Sequence, residues 1–268
     1  MSNIDAVNAL LTAINFDRFA EIEARHAPDV LFTSFRGPIL RSSTEVGDWQ
    51  RTFLRDYADC NYSDLEYVEQ DDSVVVRATI DAKGYDWRPF TQRVIEVFRM
   101  SDEEVAERRL YGMLRNTELD KPANVAMENA LGYRGGSAAA TKTTVETAFK
   151  ALLTGDLETA KALFHEKPVL IEGVYGLAAG FDNIAGLMAA IPRPAFGVAH
   201  VSAVYAADHT ALVEVSIDAS RPRAASWVRL VDGKIIIIET YWMLREIGVS
   251  PDQSYGGERF MKSPIQPI

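Results

Sequence analysis

Apolar positions near the amino terminus recur with a helical period and then break. Val7, Leu10, Leu11 and Ile14 fall at i, i+3, i+4 and i+7, and Phe19 and Ile22 extend the stripe beyond an Asn15-Phe16-Asp17 interruption. This spacing predicts a helix, a break and a second helix. The second half repeats the arrangement. Thr143 and Glu146 stand at capping-box spacing, Phe149, Leu152 and Leu153 carry the stripe, and Gly155-Asp156 interrupts it before Ala160 and Leu163. Strands are predicted next, at Val30-Leu31-Phe32 before an Arg36-Gly37-Pro38 turn and at Val169-Leu170-Ile171 before a turn at Gly176. A helix carrying Trp49, Phe53 and Leu54 is expected to follow in the first half. The β-branched runs Ser73–Ile80 and Ala211–Ile217 are each entered from a polar turn, at Asp71-Asp72 and Asp208-His209, which predicts consecutive hairpins.

The last strands match best. Phe98-Arg99-Met100 answers Val228-Arg229-Leu230, and Tyr111-Gly112-Met113-Leu114-Arg115 answers Tyr241-Trp242-Met243-Leu244-Arg245, both at an offset of 130. Upstream, Gly37 with Gly176 and His26 with His165 give an offset of 139, so the second copy is expected to lack about nine residues of its middle. The reading is two tandem domains, 1–118 and 143–250, joined by a linker over 119–142, with a short helix ahead of its glycine-rich segment, and followed by an extended tail over 251–268. Helices followed by antiparallel strands is the α+β pattern, and a strongly curved sheet closing over its helices leaves a cone with room for a ligand.

Composition narrows the function. At 268 residues the chain suits two domains, and 47% hydrophobic with 25% charged residues is an ordinary globular balance. A formal net charge of -10 leaves no basic face for phosphates, so neither nucleic acid nor anionic membrane is the expected partner; a small hydrophobic molecule is. The amino terminus has no positive n-region, no apolar run reaches about 18 residues, and the single Cys60 has no disulfide partner. A cytoplasmic protein is expected, with Cys60 a buried side chain. Nucleotide, metal and serine-hydrolase motifs are missing, so no cofactor and no metal are expected.

Taken in order, Ala27-Pro28-Asp29-Val30-Leu31-Phe32, the turn Arg36-Gly37-Pro38, Val94-Ile95-Glu96-Val97-Phe98-Arg99, the final Tyr111 or Tyr241-Trp242 strand and the Asp232-Gly233 hairpin resemble the nuclear transport factor 2-like superfamily. The likeness is to its SnoaL-like, polyketide-cyclase-like branch, in two passes covering nearly the whole chain. That resemblance implies a cone-shaped fold, and pairing of the two domains through their sheets as a pseudo-dimer within one chain, with a homodimer possible. It also implies either cofactor-independent acid-base enzymes or noncatalytic binding modules, because the fold hosts both. The position resembling the isomerase general base falls on Ser34 and its helix tyrosine on Leu10, while the cyclase and epoxide-hydrolase acid falls on Leu110 and Thr240. Those chemistries do not transfer on the residues present.

Glu96 is the leading candidate for catalysis, as an acid or base with apolar neighbours Val94, Ile95, Val97 and Phe98, where desolvation would raise its pKa. A pairing with Arg93 or Arg77 is the structural alternative. The second copy has Ser226 there. His26, three residues before Asp29 at the end of the second helix, and Tyr57 are its candidate helpers, although a histidine at a helix end also serves to cap carbonyls. Ser34, Trp49, Arg93 and Tyr111 are candidate substrate contacts, and Trp87 a further aromatic wall. The leading expectation is an isomerase, cyclase, dehydratase or lyase acting on a small hydrophobic, aromatic or polycyclic molecule in the first cone. The alternative is a noncatalytic small-molecule-binding or assembly module.

Overall fold

The helical and alternating stretches become helices and strands close to where the pattern puts them. The computed structural model describes residues 2–83, 89–113, 121–133, 135–190, 199–217 and 221–249. Trp87 and the tail 251–268 lie outside them. The chain divides into two compact units, Met1–Gly112 and Met113–Ile268.

In unit 1, Ser2 caps α1 (Asn3–Asn15) by accepting from the Asp5 backbone, and the Asp5 carboxylate takes the Ser2 N–H in return. Val7, Leu10, Leu11 and Ile14 are all buried, each contributing about 1.5–3 kcal/mol. Asp17, at φ 54, reverses the chain into α2 (Phe19–Ala24). Then follow β1 (His26–Ser34), α3 (Ser43–Asp56), β2 (Ala58–Gln70), β3 (Ser73–Lys83), β4 (Pro89–Ser101) and β5 (Glu104–Gly112). The sheet order is β2-β3-β4-β5-β1, antiparallel except for the parallel β1–β5 pair.

Unit 2 opens with α4 (Lys121–Leu131) and repeats the element order as α5 (Ala138–Thr154), α6 (Leu157–Ala162), β6 (Phe164–Glu172), β7 (Gly176–Ala179), α7 (Phe181–Ala190), β8 (His200–Ala206), β9 (Thr210–Ser216), β10 (Pro222–Val231) and β11 (Lys234–Trp242). Its order is β8-β9-β10-β11-β6-β7, with β6–β11 again the parallel pair. Phe149 and Leu152 of α5 pack with Leu170, Val213, Val228 and Ile238 in its core. Corresponding ladders carry corresponding bulges, between Arg99 and Met100 on β4 and between Arg229 and Leu230 on β10, where the strands bend. No helix among the described residues is long and apolar enough to cross a membrane.

Several boundaries differ from expectation. Within the stretch 119–142, α4 stands where a short helix was expected ahead of the glycine-rich segment, but α5 starts earlier than Thr143, because Ser137 caps it by accepting from Ala140 N. Helix α7 was not anticipated, although Phe181, Ile184, Ala185 and Met188 recur at i, i+3, i+4 and i+7 with Asp182 and Asn183 on the exposed face. Strand β1 begins at His26, two residues after α2 ends, and the ring caps that helix as the alternative reading expected, through Ile22 O.

The ladders also correct the offset upstream. Glu96 lies opposite Leu110 and Ser226 opposite Thr240, which preserves 130. But Ser34 pairs with Leu110 and Glu172 with Thr240, while His26 pairs with Val105 and Phe164 with Ile235. The register counterpart of Ser34 is therefore Glu172, and that of His26 is Phe164 and not His165. Alignment on Gly37 and Gly176 slipped by one residue, because those glycines follow the strand through turns of different length.

Gly173, which follows Glu172, donates its N–H to Thr240 O at 3.0 Å, and a Cβ there would meet that same oxygen at 2.7 Å and Met113 Cγ at 2.9 Å. Gly186, exposed on α7, has open space around it. Gly173→Ala should thus destabilise unit 2 by about 1–3 kcal/mol, and Gly186→Ala should stabilise it by about 0.5–1 kcal/mol. Urea unfolding of both variants measures the two signs.

Candidate functional site

Alternation along β4 turns Glu96 into the interior of unit 1, where the carboxylate is 1% exposed. Its Oε2 accepts from Arg108 Nε at 2.5 Å and its Oε1 from the Tyr62 hydroxyl at 2.5 Å. The partner is thus Arg108, from the neighbouring strand two positions along the ladder, and neither Arg93 nor Arg77; Arg77 pairs instead with Glu66 at 2.9 Å. Arg108 is fully buried, with its guanidinium 4.8 Å from the Phe32 ring and 5.5 Å from Phe98, so two aromatic faces supplement the ion pair. Burial, with the adjacent Glu96 charge, holds the Tyr62 pKa well above its ordinary value, so the phenol keeps its proton and donates it in the hydrogen bond. Glu96 is therefore one member of a Tyr62–Glu96–Arg108 cluster, not a lone carboxyl among apolar side chains, and both terminal guanidinium nitrogens of Arg108 are buried without a hydrogen-bond partner.

His26 lies beside this cluster. Its Nδ1 donates to Ile22 O at 2.7 Å, and burial together with the Arg108 charge lowers its pKa to about 3. A ring so placed stays neutral and is oriented by Ile22, not by Asp29. Cys60 is buried as expected, and burial followed by the nearby negative charges pushes its thiol up to about 12. Tyr57 belongs to a different group: its hydroxyl accepts from Arg36 Nη1 at 3.1 Å, and its ring lies 4.8 Å from Phe53, which stacks on Trp49 at 5.3 Å. Ser34 ends β1 and caps the next turn, accepting from Arg36 N at 3.2 Å. Arg93, opposite Thr79, and Tyr111, opposite Ile95, take the alternate positions of β4 and β5 and so point to the sheet face away from Glu96. The structure brings Glu96 and His26 together around Arg108 and leaves Tyr57, Trp49, Arg93 and Tyr111 apart from them.

Unit 2 holds an open cavity of about 360 Å³. Its walls are largely apolar, including Phe149, Leu152, Leu170, Ile184, Val215 and Ile238. Three polar side chains interrupt them in one row across adjacent strands: Glu172 on β6 pairs in register with Thr240 on β11, which pairs with Ser226 on β10. The hydroxyls of Ser226 and Thr240 lie 3.0 Å apart. Glu172 is wholly buried; its Oε2 accepts from Val174 N at 2.8 Å and Tyr175 N at 2.5 Å, and its Oε1 accepts from the Trp242 indole N–H. The turn after β6 thus clamps the carboxylate in one orientation. Among the described lining residues there is no Lys, Arg or His, and among the described residues no cluster suits a metal ion.

The cavity stands where unit 1 is filled. Through the ladders Glu96 corresponds to Ser226 and Arg108 to Ile238. Ser63 pairs with Thr79 as His200 pairs with Ser216, so Tyr62, one residue earlier, corresponds to Ala199. Ala199, Ser226 and Ile238 all line the cavity. Three large or charged side chains are replaced by smaller uncharged ones, and the volume they occupied is open.

Removing one member of the buried pair, as in Glu96→Ala, should cost unit 1 about 3–5 kcal/mol in denaturant unfolding, because it strands the Arg108 charge. Replacing both, as Glu96→Ser with Arg108→Ile, should cost clearly less than the sum of the single changes. His26 adds an acid sensitivity with a definite sign. Its folded pKa lies below the unfolded value, so the unfolded chain binds the extra proton, and stability falls as pH drops from about 6.5 toward 3 with a slope of up to about 1.4 kcal/mol per pH unit. His26→Phe, the residue its counterpart has, should flatten that slope in unfolding titrations.

Residues 7–108 match the SnoaL-like domain family. No curated protein matches the chain. Among solved structures, a candidate polyketide cyclase from Pseudomonas putida is 14% identical over 41% of this chain and 91% of its own, with a TM-score of 0.39. A nuclear transport factor 2-like protein of unknown function from Burkholderia pseudomallei is 21% identical over 42% and 92%, also at 0.39. A Catenulispora acidiphila protein with a ketosteroid isomerase-like fold, solved in complex with trimethylamine, is 15% identical over 40% and 83%, at 0.38. Residues 7–108, which make up most of unit 1, are a SnoaL-like domain.

Proposed function

We propose that unit 2 takes a small, largely apolar molecule into its cavity and moves a proton on it, with Glu172 as the acid-base group and the Ser226–Thr240 hydroxyls holding the polar end of the ligand. The observation that carries this reading is the in-register row Glu172–Thr240–Ser226 on the wall of an otherwise apolar cavity of about 360 Å³. That volume is within the range of small-molecule sites, and a few placed polar groups in an apolar pocket are what fix a ligand's orientation. Glu172 is the counterpart of Ser34, the position at which the family resemblance expects a general base. A carboxylate clamped by a backbone turn needs little reorganisation to meet a substrate proton, which favours positioned acid-base chemistry. This reading moves the site from the first cone, where the sequence pointed, to the second.

A binding module is the second reading, and the three N–H donors on Glu172 are the observation that favours it. They satisfy most of the carboxylate's acceptor capacity and would serve equally to shape a pocket that stores a ligand.

A thermal-shift screen of neutral mono- and bicyclic compounds tests the cavity. A ligand present at about 100 times its dissociation constant stabilises by about 2.7 kcal/mol, a rise of roughly 5–10 °C for a unit of this size. Glu172→Gln should keep binding within about tenfold and lower turnover of any converted compound by about 10²–10⁴-fold. Turnover that survives the substitution overturns the acid-base assignment, and ligands bound tightly but left chemically unchanged by the wild type establish the binding module.

A further inference from the structure

We infer that the ligand of unit 2 is a neutral ring compound bearing a hydroxyl group, because unit 1 already contains such a group as its own side chain. The inference rests on the cavity reading above and specifies what fills it. In unit 1 the interior is occupied by the Tyr62 phenol, whose hydroxyl donates to Glu96 at 2.5 Å. In unit 2 the ladder counterpart of Tyr62 is Ala199, and the counterpart of its acceptor is Ser226. Truncation at residue 199 vacates a six-membered ring and its hydroxyl, and the position that received the hydroxyl proton still carries an oxygen. That oxygen is 3.0 Å from Thr240 Oγ1, and one hydroxyl hydrogen is consumed between the two. The pair therefore retains lone pairs to accept a ligand O–H and one hydrogen to donate to the ligand oxygen.

Charge decides against the acidic analogue. In unit 1 Arg108 balances the carboxylate at 2.5 Å, but its counterpart in unit 2 is Ile238, and no described lining residue supplies a cation. A ligand carboxylate placed at the hydroxyl pair would be buried against hydroxyls and apolar walls without the cation that unit 1 provides at the equivalent place, which costs several kcal/mol. A neutral hydroxyl meets no such penalty. The walls impose no further polar demand, which leaves the ring system free to be a hydrocarbon.

The test uses three probes on one ring frame, 5-indanol, indane and indane-5-carboxylate, with the full chain and with Ser226→Ala, Ala199→Leu and Ala199→Tyr, read by calorimetric titration and melting temperature. The wild type should bind 5-indanol about tenfold more tightly than indane, the worth of one hydrogen bond, and indane-5-carboxylate at least tenfold more weakly than 5-indanol. Ser226→Ala should abolish the preference for the alcohol while indane still binds, and Ala199→Tyr should remove binding of both neutral probes. Ala199→Leu, which fills less of the space, should weaken both and decides the point should the tyrosine variant fail to fold. Equal affinity for carboxylate and alcohol, or a preference that survives Ser226→Ala, overturns this inference and leaves the cavity reading standing. Failure of both neutral probes to bind the wild type overturns the cavity reading itself.

Discussion

A carboxylate and a guanidinium enclosed in an apolar sheet must stay together, because each alone would forfeit several kcal/mol of hydration with nothing to replace it. Glu96 and Arg108 meet that condition at 2.5 Å with 1% and 0% exposure, and the interior of unit 1 is arranged around them. Tyr62 takes the second carboxylate oxygen, and Phe32 and Phe98 present their faces to the cation. His26 remains neutral next to Arg108, and the Cys60 thiol is pushed away from its reactive form by burial and by negative charges that include Glu96. Each of these groups has a chemical reputation, and in each the pair's field or the lack of water suppresses it.

Unit 2 keeps the ladder and drops the pair. Ser226 and Ile238 stand at the two charged positions, and Ala199 at the phenol, so the described cavity wall carries no counterpart of the Glu96–Arg108 pair. Such a cavity has a cost in lost packing, of the order of tens of cal/mol for each Å³ left empty, which a protein without use for the space would recover with larger side chains. The carboxylate on the cavity wall, Glu172, accepts from two backbone N–H groups and one indole N–H. Hydroxyls and an alkyl side chain in place of the carboxylate and guanidinium distinguish the two interiors chemically as well as in volume.

Most of the fold was legible because helical and alternating periods are local signals, and Val7 to Ile14, Phe149 to Leu153 and the β-branched hairpins carry them strongly. Helix α7 was not read, since its period of Phe181, Ile184, Ala185 and Met188 spans barely two turns and its only charged residue is Asp182. For the site, the sequence identified Glu96 as an embedded carboxylate, and it is one, but a strand pattern does not show which diagonal neighbour meets it; Arg108 appeared only as one of several arginines. Glu172 was missed through a one-residue slip. Aligning the halves on Gly37 and Gly176 placed Gly173 against Ser34, and in a strand one residue is the difference between facing the interior and facing away. Aligning instead on the strand runs, Val30-Leu31-Phe32 shifted by 138 onto Pro168-Val169-Leu170, would have brought the acid into view.

The two interiors together show how little of a fold a binding site requires. Ladder, bulges and helix order are shared, so they cannot decide whether a unit holds a ligand; three side chains from three strands do. Because those positions lie on one sheet face, changes there alter volume, charge and hydrogen bonding at once while leaving the backbone pairing intact. Similarity in fold then does not distinguish the two interiors, and the match over residues 7–108 falls on the unit that carries the buried ion pair. The chemical difference between the units resides in residues 172, 199, 226, 238 and 240, where the chain departs from its own first half.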